Sequence, residues 1–278
     1  MIDRISVLTA DIDDTLCPKG GTLMPLTRSA IQRMHAQGVL FGPASGRPMD
    51  RRILAKAEEW ELGFPFDFAI GMNGGELYDL SDGTIEKFYP LQPDQIRTIV
   101  EFLEKMDLNP LVYVSGYDHI AALRMDDFLA DSQRRNHSHV VTGEARFMYE
   151  VPTGKIEVHI LPEQMPQLIE EAEKHADPDW TWVKTFEGYG HVTIEFLNPR
   201  VNKGVALKRY SEKHNIPLSE FIAFGDMEND IGLLQEAAWG VCLLNGSDAV
   251  KAIADDITEY DVANDGVGRY LEKHWFSR

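Results

Sequence analysis

Five apolar runs constrain most strongly how this chain can fold. ISVLTA (5–10), VLFGPA (39–44), FDFAIG (66–71), FIAFG (221–225) and GVCLL (240–244) lack the apolar–polar alternation of a strand with one wet face. Stretches with helical spacing of apolar positions lie between them. TRSAIQRMHAQG precedes the second run, with Thr27 placed to cap the helix and Gly38 to end it. MDRRILAKAEEWELG precedes the third, KGVALKRYSEKHN the fourth and MENDIGLLQEAAW the fifth. Strands buried on both faces and spaced by helices predict an α/β fold with a doubly wound, mostly parallel sheet. Ligands of such sheets bind outside the carboxyl ends of the strands.

The middle of the chain is patterned differently. After the turn-like YDLSDGTIEKFYPL comes a predicted helix over 93–106, then PLVYVSG, HIAALRM, GKIEVHIL, TWVKTF and HVTIEFL. These runs alternate more, as antiparallel strands do, and a second helix is predicted in PEQMPQLIEEAEKHA. Residues 1–84 and 194–278 therefore read as an α/β core, and 85–193 as a smaller inserted α+β domain with hinges near both ends.

The chain has 278 residues, enough for two such units, and its 44% hydrophobic and 26% charged content is that of a globular protein. Against 45 Asp and Glu stand 27 Lys and Arg, a formal charge of −18. That balance argues against nucleic acid or an anionic membrane as partner, and it means that an anionic substrate needs a local positive site. The two cysteines, Cys17 and Cys242, are far apart and read as reduced thiols. No run reaches the roughly 18 apolar residues of a membrane span, and MIDRISVLTADID lacks the features of a signal peptide. The expectation is a soluble cytoplasmic protein. Its oligomeric state is not readable.

Four short segments carry chemistry. In VLTADIDDTL, Asp11 and Asp13 flank Ile12 at a strand end. Beside a divalent cation the first carboxylate could act as a nucleophile toward phosphorus, and the second could move the proton; alone, the pair could equally form an Asx turn. In FGDMENDIGLL, Asp226, Asn229 and Asp230 have i, i+3, i+4 spacing and would share a face of one helical turn. Asp226 is placed to supply an oxygen ligand to Mg2+, or to cap the helix. In FGPASGRP, Ser45 and the Gly46 backbone N–H could bind phosphate oxygens, with Arg47 adding charge in a direction the sequence does not show. The same loop could be an ordinary turn. Lys203, at a helix start in NPRVNKGVAL, is unfavourable for the helix dipole unless it faces Asp11 and a bound phosphate or is solvated. In this order and at strand ends, the four segments compose a phosphoryl-transfer site.

The segments DIDDT, ASGR, NKG and GDMEND resemble the four motifs of the haloacid dehalogenase superfamily. The inserted domain's position and size, MNGGELYD at 72–79 and the closing segment from 240 resemble its Cof-type branch, so the likeness spans nearly the whole chain. The resemblance implies a Mg2+-dependent phosphatase whose α+β cap closes over the core and gives specificity. It implies that Asp11 is nucleophile and metal ligand, and that Asp13 is general acid and base with its backbone carbonyl on the metal. Ser45, Gly46 and Lys203 would hold the phosphoryl group, and Asp226 would bind Mg2+. Thr15, Arg47, Asn229 and Asp230 would support the site, with Asn73 and Asn245 near substrate or phosphate. Asp14 stands where glycine is common, Gly75 where alanine is, and LLNG at 243–246 departs from Met-Gly-Asn-Ala. Asp14 itself reads as solvated.

Three functions compete. The first is hydrolysis of a small phosphomonoester such as a sugar phosphate. The second is a phosphosugar mutase, which needs the cap to hold a second phosphate; Arg124, Arg134 and Arg135 are candidates for that, or a solvated face. The third is a phosphorylatable receiver or phosphometabolite sensor, against which the separate Asp13 and the large insertion argue. His137 and His139 would share one side of a strand as a metal pair does, but no third ligand accompanies them. Trp180 and Trp182 alternate as strand residues that pack, with Trp182 able to face a substrate. GMNGG lacks dinucleotide-binding spacing.

Overall fold

The computed structural model describes residues 4–115, 119–136, 138–143, 145–188 and 190–277. The chain divides into two compact units, Met1–Phe88 with Asn202–Arg278 and Tyr89–Val201. In chain order the first unit contributes β1 (Val7–Asp11), α1 (Pro25–Ala36), β2 (Leu40–Ala44), α2 (Arg51–Glu59), β3 (Phe68–Gly71), β4 (Glu76–Asp79) and β5 (Thr84–Lys87). The second unit follows with α3 (Pro93–Lys105), β6 (Leu111–Ser115), β7 (His119–Ala122), α4 (Asp127–Asn136), β8 (His139–Thr142), β9 (Ile156–Ile160), α5 (Met165–Lys174), β10 (Thr181–Gly188) and β11 (His191–Leu197). The chain returns to the first unit with α6 (Lys203–His214), β12 (Phe221–Gly225), α7 (Ile231–Glu236), β13 (Trp239–Cys242), α8 (Asp248–Lys251), β14 (Asp256–Ile257) and α9 (Gly266–Leu271). The limits read from the sequence at 84/85 and 193/194 fall inside β5 and β11, and the division lies where those strands have ended.

The first unit's sheet runs β14-β13-β12-β1-β2-β3-β4-β5. It is parallel from β14 to β3, and β4 and β5 add antiparallel at one edge. Every residue of β1 is buried, because neighbours on alternate faces enter different cores. Leu8 and Ala10 pack with Ile31, Met34, Phe41 and Leu271, whereas Val7 packs with Leu207, Tyr210, Phe221 and Leu233. This two-sided covering is why the strand lacks alternation.

Thr27 does not cap α1 as its position predicts. The helix begins at Pro25, and Asp265 takes over the capping, its carboxylate accepting from the Leu26 and Thr27 backbone N–H groups at 2.6 and 2.9 Å. The Thr27 hydroxyl donates to the same carboxylate and accepts from the Gly268 N–H. Gly38 does follow the end of α1, with φ +89°.

Asp79 ties the β4–β5 edge to the end of α6. Burial would raise its pKa, but Lys213, the Ser81 hydroxyl and N–H, and His214 all bond to the carboxylate and hold it well below the usual range. Its folded pKa is depressed, so its contribution is complete above the unfolded pKa, near 4, and is lost as pH falls toward the folded value. Asp79→Ala is expected to cost about 2 kcal/mol at neutral pH, in the range for hydrogen bonds to a charged group. Urea unfolding at pH 7 and at about pH 3 should show the gap between wild type and variant narrowing at acid pH; an equal gap at both values contradicts the ionic account.

The second unit's sheet runs β10-β11-β9-β6-β7-β8, antiparallel except for β7 beside β8. One face packs Ile156, Val158, Ile194 and Phe196 against Ile96, Ile99, Leu103 and Leu168 of α3 and α5. The same core takes in buried Trp180, and Trp182 packs against it half-buried. On the other face Glu157 and Glu195 stand directly opposite one another, with Lys155 bonded to Glu195 and 3.9 Å from Glu157. The basic candidates of this unit are committed to neighbours: Arg124 pairs with Asp107 at 3.1 Å and Arg134 with Asp131 at 3.0 Å. The Arg135 side chain and His137 lie outside the described residues, and the His139 ring is 5.6 Å from that of His119. No helix among the described residues is long and apolar enough to cross a membrane.

Candidate active site

At the carboxyl end of β1 the chain turns back on itself. The Leu16 and Cys17 N–H groups both donate to the Ile12 carbonyl, and the Asp14 N–H donates to the Cys17 carbonyl at 2.7 Å. Asp14 adopts a left-handed φ of +62°, the conformation glycine supplies most cheaply and aspartate tolerates. Asp14 is therefore more than solvated: it is half-buried and its carboxylate accepts from the Lys19 N–H at 3.0 Å. The turn leaves Asp11 buried and gathers Thr15 beside it, the Thr15 hydroxyl donating to Asp226 Oδ1 at 2.7 Å.

Lys203, the first residue of α6, is fully buried. Its ammonium group donates to Asp11 Oδ1 and, at 2.5 Å, to Asp230 Oδ1. The same Asp230 accepts through Oδ2 from the Asp226 and Met227 N–H groups, at 2.9 and 3.1 Å. Asp226, Asn229 and Asp230 do not lie along one α-helical turn. Asp226 follows β12, a 3-10 turn covers Glu228–Asp230, and α7 begins only at Ile231. Asp230 thus faces Lys203, while Asn229 reaches across to Asn73, its Nδ2 donating to Asn73 Oδ1 at 3.1 Å.

The loop after β2 is held by the turn that follows β3. The Ser45 N–H donates to the Ile70 carbonyl, the Asn73 N–H to the Ser45 carbonyl, and the Met72 N–H to the Arg47 carbonyl. Met72, Asn73 and Gly74 all have positive φ, and a Cβ on Gly74 would stand 1.9 Å from the Asn202 carbonyl oxygen. That close approach brings the Asn73 turn against the residue preceding Lys203. Gly46 is constrained less severely, since its Cβ would lie 2.9 Å from the side-chain oxygen Asn73 Oδ1. Glu76 belongs to this arrangement without having been read from the sequence: its buried carboxylate accepts from the Met49 N–H at 2.7 Å and fixes the far end of the Ser45 loop. An acid directly after an Asn-Gly-Gly turn was the available signal.

Arg47 points at Asp13, with Nη2 donating to both carboxylate oxygens at 2.9 and 2.7 Å. Asn245 spends both ends of its amide on backbone, donating to the Asp14 carbonyl and accepting from the Val262 N–H, each at 2.9 Å. It braces the Asp14 turn.

Asp11, Asp226 and Asp230 offer oxygens within 4.8 Å of one another. Burial pushes the Asp11 pKa well above its ordinary value; Lys203 pulls it down, while Asp230 and Asp226 push it further up. Asp226 is pushed up to about 7, chiefly by burial, with the Thr15 hydrogen bond opposing and Asp230 and Asp14 adding to the rise. Burial disfavours the Lys203 ammonium, but Asp11 and Asp230 outweigh it and keep the lysine charged. When all are ionised, the three carboxylates exceed the one buried ammonium by two charges. A divalent cation with a preference for oxygen would offset that charge, and Asp11 Oδ2 and Asp226 Oδ2 accept no hydrogen bond from described residues.

A family model described as haloacid dehalogenase-like hydrolase matches residues 8–271. The chain is 26% identical to the 5-amino-6-(5-phospho-D-ribitylamino)uracil phosphatase YitU of Bacillus subtilis, over 97% of each chain. Among solved structures it resembles a Thermotoga maritima protein with TM-score 0.83 at 22% identity, covering 97% of each chain. It also resembles a sugar phosphatase of haloacid dehalogenase subclass IIB with TM-score 0.78 at 20% identity, covering 96% of this chain and 98% of that one.

Proposed function

The chain is a phosphatase belonging to the haloacid dehalogenase-like hydrolases, of the Cof type, and on that premise we propose that it hydrolyses a small sugar-phosphate monoester with Mg2+, through an aspartyl-phosphate on Asp11. The observation that carries this reading is the buried Lys203 ammonium between Asp11 and Asp230, beside a two-charge excess of carboxylate. Asp11 Oδ2, Asp226 Oδ2 and the Asp13 backbone carbonyl would hold the ion. When bound, the ion offsets the charge of these carboxylates and of the phosphoryl oxygens.

Asp11 attacks phosphorus as the bond to the leaving oxygen breaks, and Asp13 gives its proton to that oxygen. The resulting Asp13 carboxylate then takes a proton from the water that attacks the aspartyl-phosphate, which releases phosphate and restores Asp11. Lys203 and Ser45 bind phosphoryl oxygens throughout, and Asp230 holds Lys203 in place. The phospho-ribityl group in the substrate name of the Bacillus subtilis relative supports a phosphorylated polyol as substrate class. A mutase would need a second phosphate site in the inserted unit, and both Arg124 and Arg134 are already paired with aspartates there. Buried, unpaired Cys17 and Cys242 suit a reducing cytoplasm.

The test is phosphate release from a panel of sugar phosphates and other phosphomonoesters, with Mg2+ and with EDTA. Release should fall at least about 100-fold on chelation, given what a charge-neutralising ion contributes. Undiminished release in EDTA rules out the metal-dependent mechanism. Metal-dependent release confined to non-sugar esters rules out the substrate class alone.

A further inference from the structure

The hydrolytic reading assigns proton transfer to Asp13 but leaves open what sets that carboxylate in place, and its neighbours on the DIDDT turn do not. Asp13 is only partly covered, with its side chain 29% exposed. What grips it comes from another loop: one nitrogen of Arg47, Nη2, spans both oxygens at 2.9 and 2.7 Å. Arg47 is itself fixed at its backbone, where the Met72 N–H donates to its carbonyl and its own N–H donates to Ser45 Oγ at 3.2 Å. The guanidinium is thus tied to the loop that carries Ser45 and aimed at the turn that carries Asp11.

We propose that Arg47 is the positioning residue for proton transfer, acting through Asp13 and not through the phosphoryl group; the proposal rests on the phosphatase mechanism above. A guanidinium bonded to both oxygens leaves each with one further hydrogen-bonding direction, so Asp13 can meet a leaving oxygen or a water without releasing Arg47. When the ester O–P bond breaks and the proton passes from Asp13 to the leaving oxygen, Asp13 gains a full negative charge opposite Arg47. The contact is therefore stronger after transfer than before it, which accelerates a step instead of merely binding a reactant.

Leaving groups that differ in their need for a proton separate this role from others. An alkyl sugar phosphate needs its leaving oxygen protonated, and p-nitrophenyl phosphate does not. Arg47→Gln and Arg47→Lys are compared with wild type in single-turnover release of the alcohol or phenol with Mg2+, after thermal melts confirm that both variants fold. Arg47→Gln is expected to slow release from the alkyl ester about 100-fold and from the aryl ester less than about 10-fold, with Arg47→Lys between wild type and Gln on the alkyl ester alone. Equal losses on both esters with raised KM would place Arg47 on the phosphoryl group and overturn the proposal, and so would no loss on either. Turnover of the aryl ester by wild type separately tests the phosphatase mechanism. If that is absent, the hydrolytic reading has failed before Arg47 is reached.

Discussion

Lys203→Met is expected to cost about 3–5 kcal/mol of folding stability at neutral pH, because removing one partner of a buried ion pair leaves the other charged and unpaired. Here two carboxylates lose their cation at once, Asp11 and the fully buried Asp230. The methionine fills much the same volume, so the loss reports charge and not a cavity. The deficit should also depend on pH. Asp226 is pushed up to about 7 and Asp11 well above its ordinary value, so the folded state binds more protons than the unfolded state. Stability from such groups falls as pH rises from about 4 through the raised values, and the variant should recover as pH is lowered toward 5. Urea unfolding of wild type and variant at pH 7 and pH 5, without metal, measures both effects. A variant as stable as wild type at pH 7 would show that the ammonium does not carry the compensation.

Asp11→Asn should behave in the opposite way. Turnover is expected to drop by about 10^4-fold or more, as when other enzymes lose a nucleophile that forms a covalent intermediate. Stability without metal should hold or rise, since an amide replaces a carboxylate that burial strongly disfavours and can still present an oxygen to Lys203. With Mg2+ the wild type should gain in Tm by mass action, and the variant should gain less because it has lost a charged ligand. Paired kinetic and thermal-shift measurements decide the point. A variant that keeps its turnover eliminates Asp11 as the attacking group, and one that unfolds without metal contradicts the charge ledger of the site.

The unequal visibility of these features in the sequence has physical causes. β1 and β12 could be read because strands covered on both faces cannot alternate, and the apolar runs ending in Asp11 and Gly225 carry that imprint without any partner in view. Residues whose partners are distant could not be assigned. Thr27 looks like a cap by its position, but the cap is Asp265, 238 residues further on. The direction of Arg47 depends on how the Ser45 loop meets the Asp13 turn, which neither loop specifies alone. The i, i+3, i+4 spacing of Asp226, Asn229 and Asp230 suggests one helical face, but the backbone stays non-α-helical until Ile231 and sends the last two in different directions. Glu76 is not legible because its burial depends on the Met49 N–H 27 residues upstream, and an acid beside glycines does not show that.

The place of β1 in its sheet, between β12 and β2, also bears on how the protein is made. Its neighbour on one side is synthesised almost at once, but β12 comes only after the entire second unit. During that interval, on the order of ten seconds at ordinary rates of synthesis, the central apolar strand presents an unfilled row of N–H and C=O groups. Asp11 meanwhile has no cation, because Lys203 lies 192 residues downstream. A carboxylate at the tip of an otherwise apolar edge opposes its pairing with another chain, so the group proposed as nucleophile would also act there as a gatekeeper.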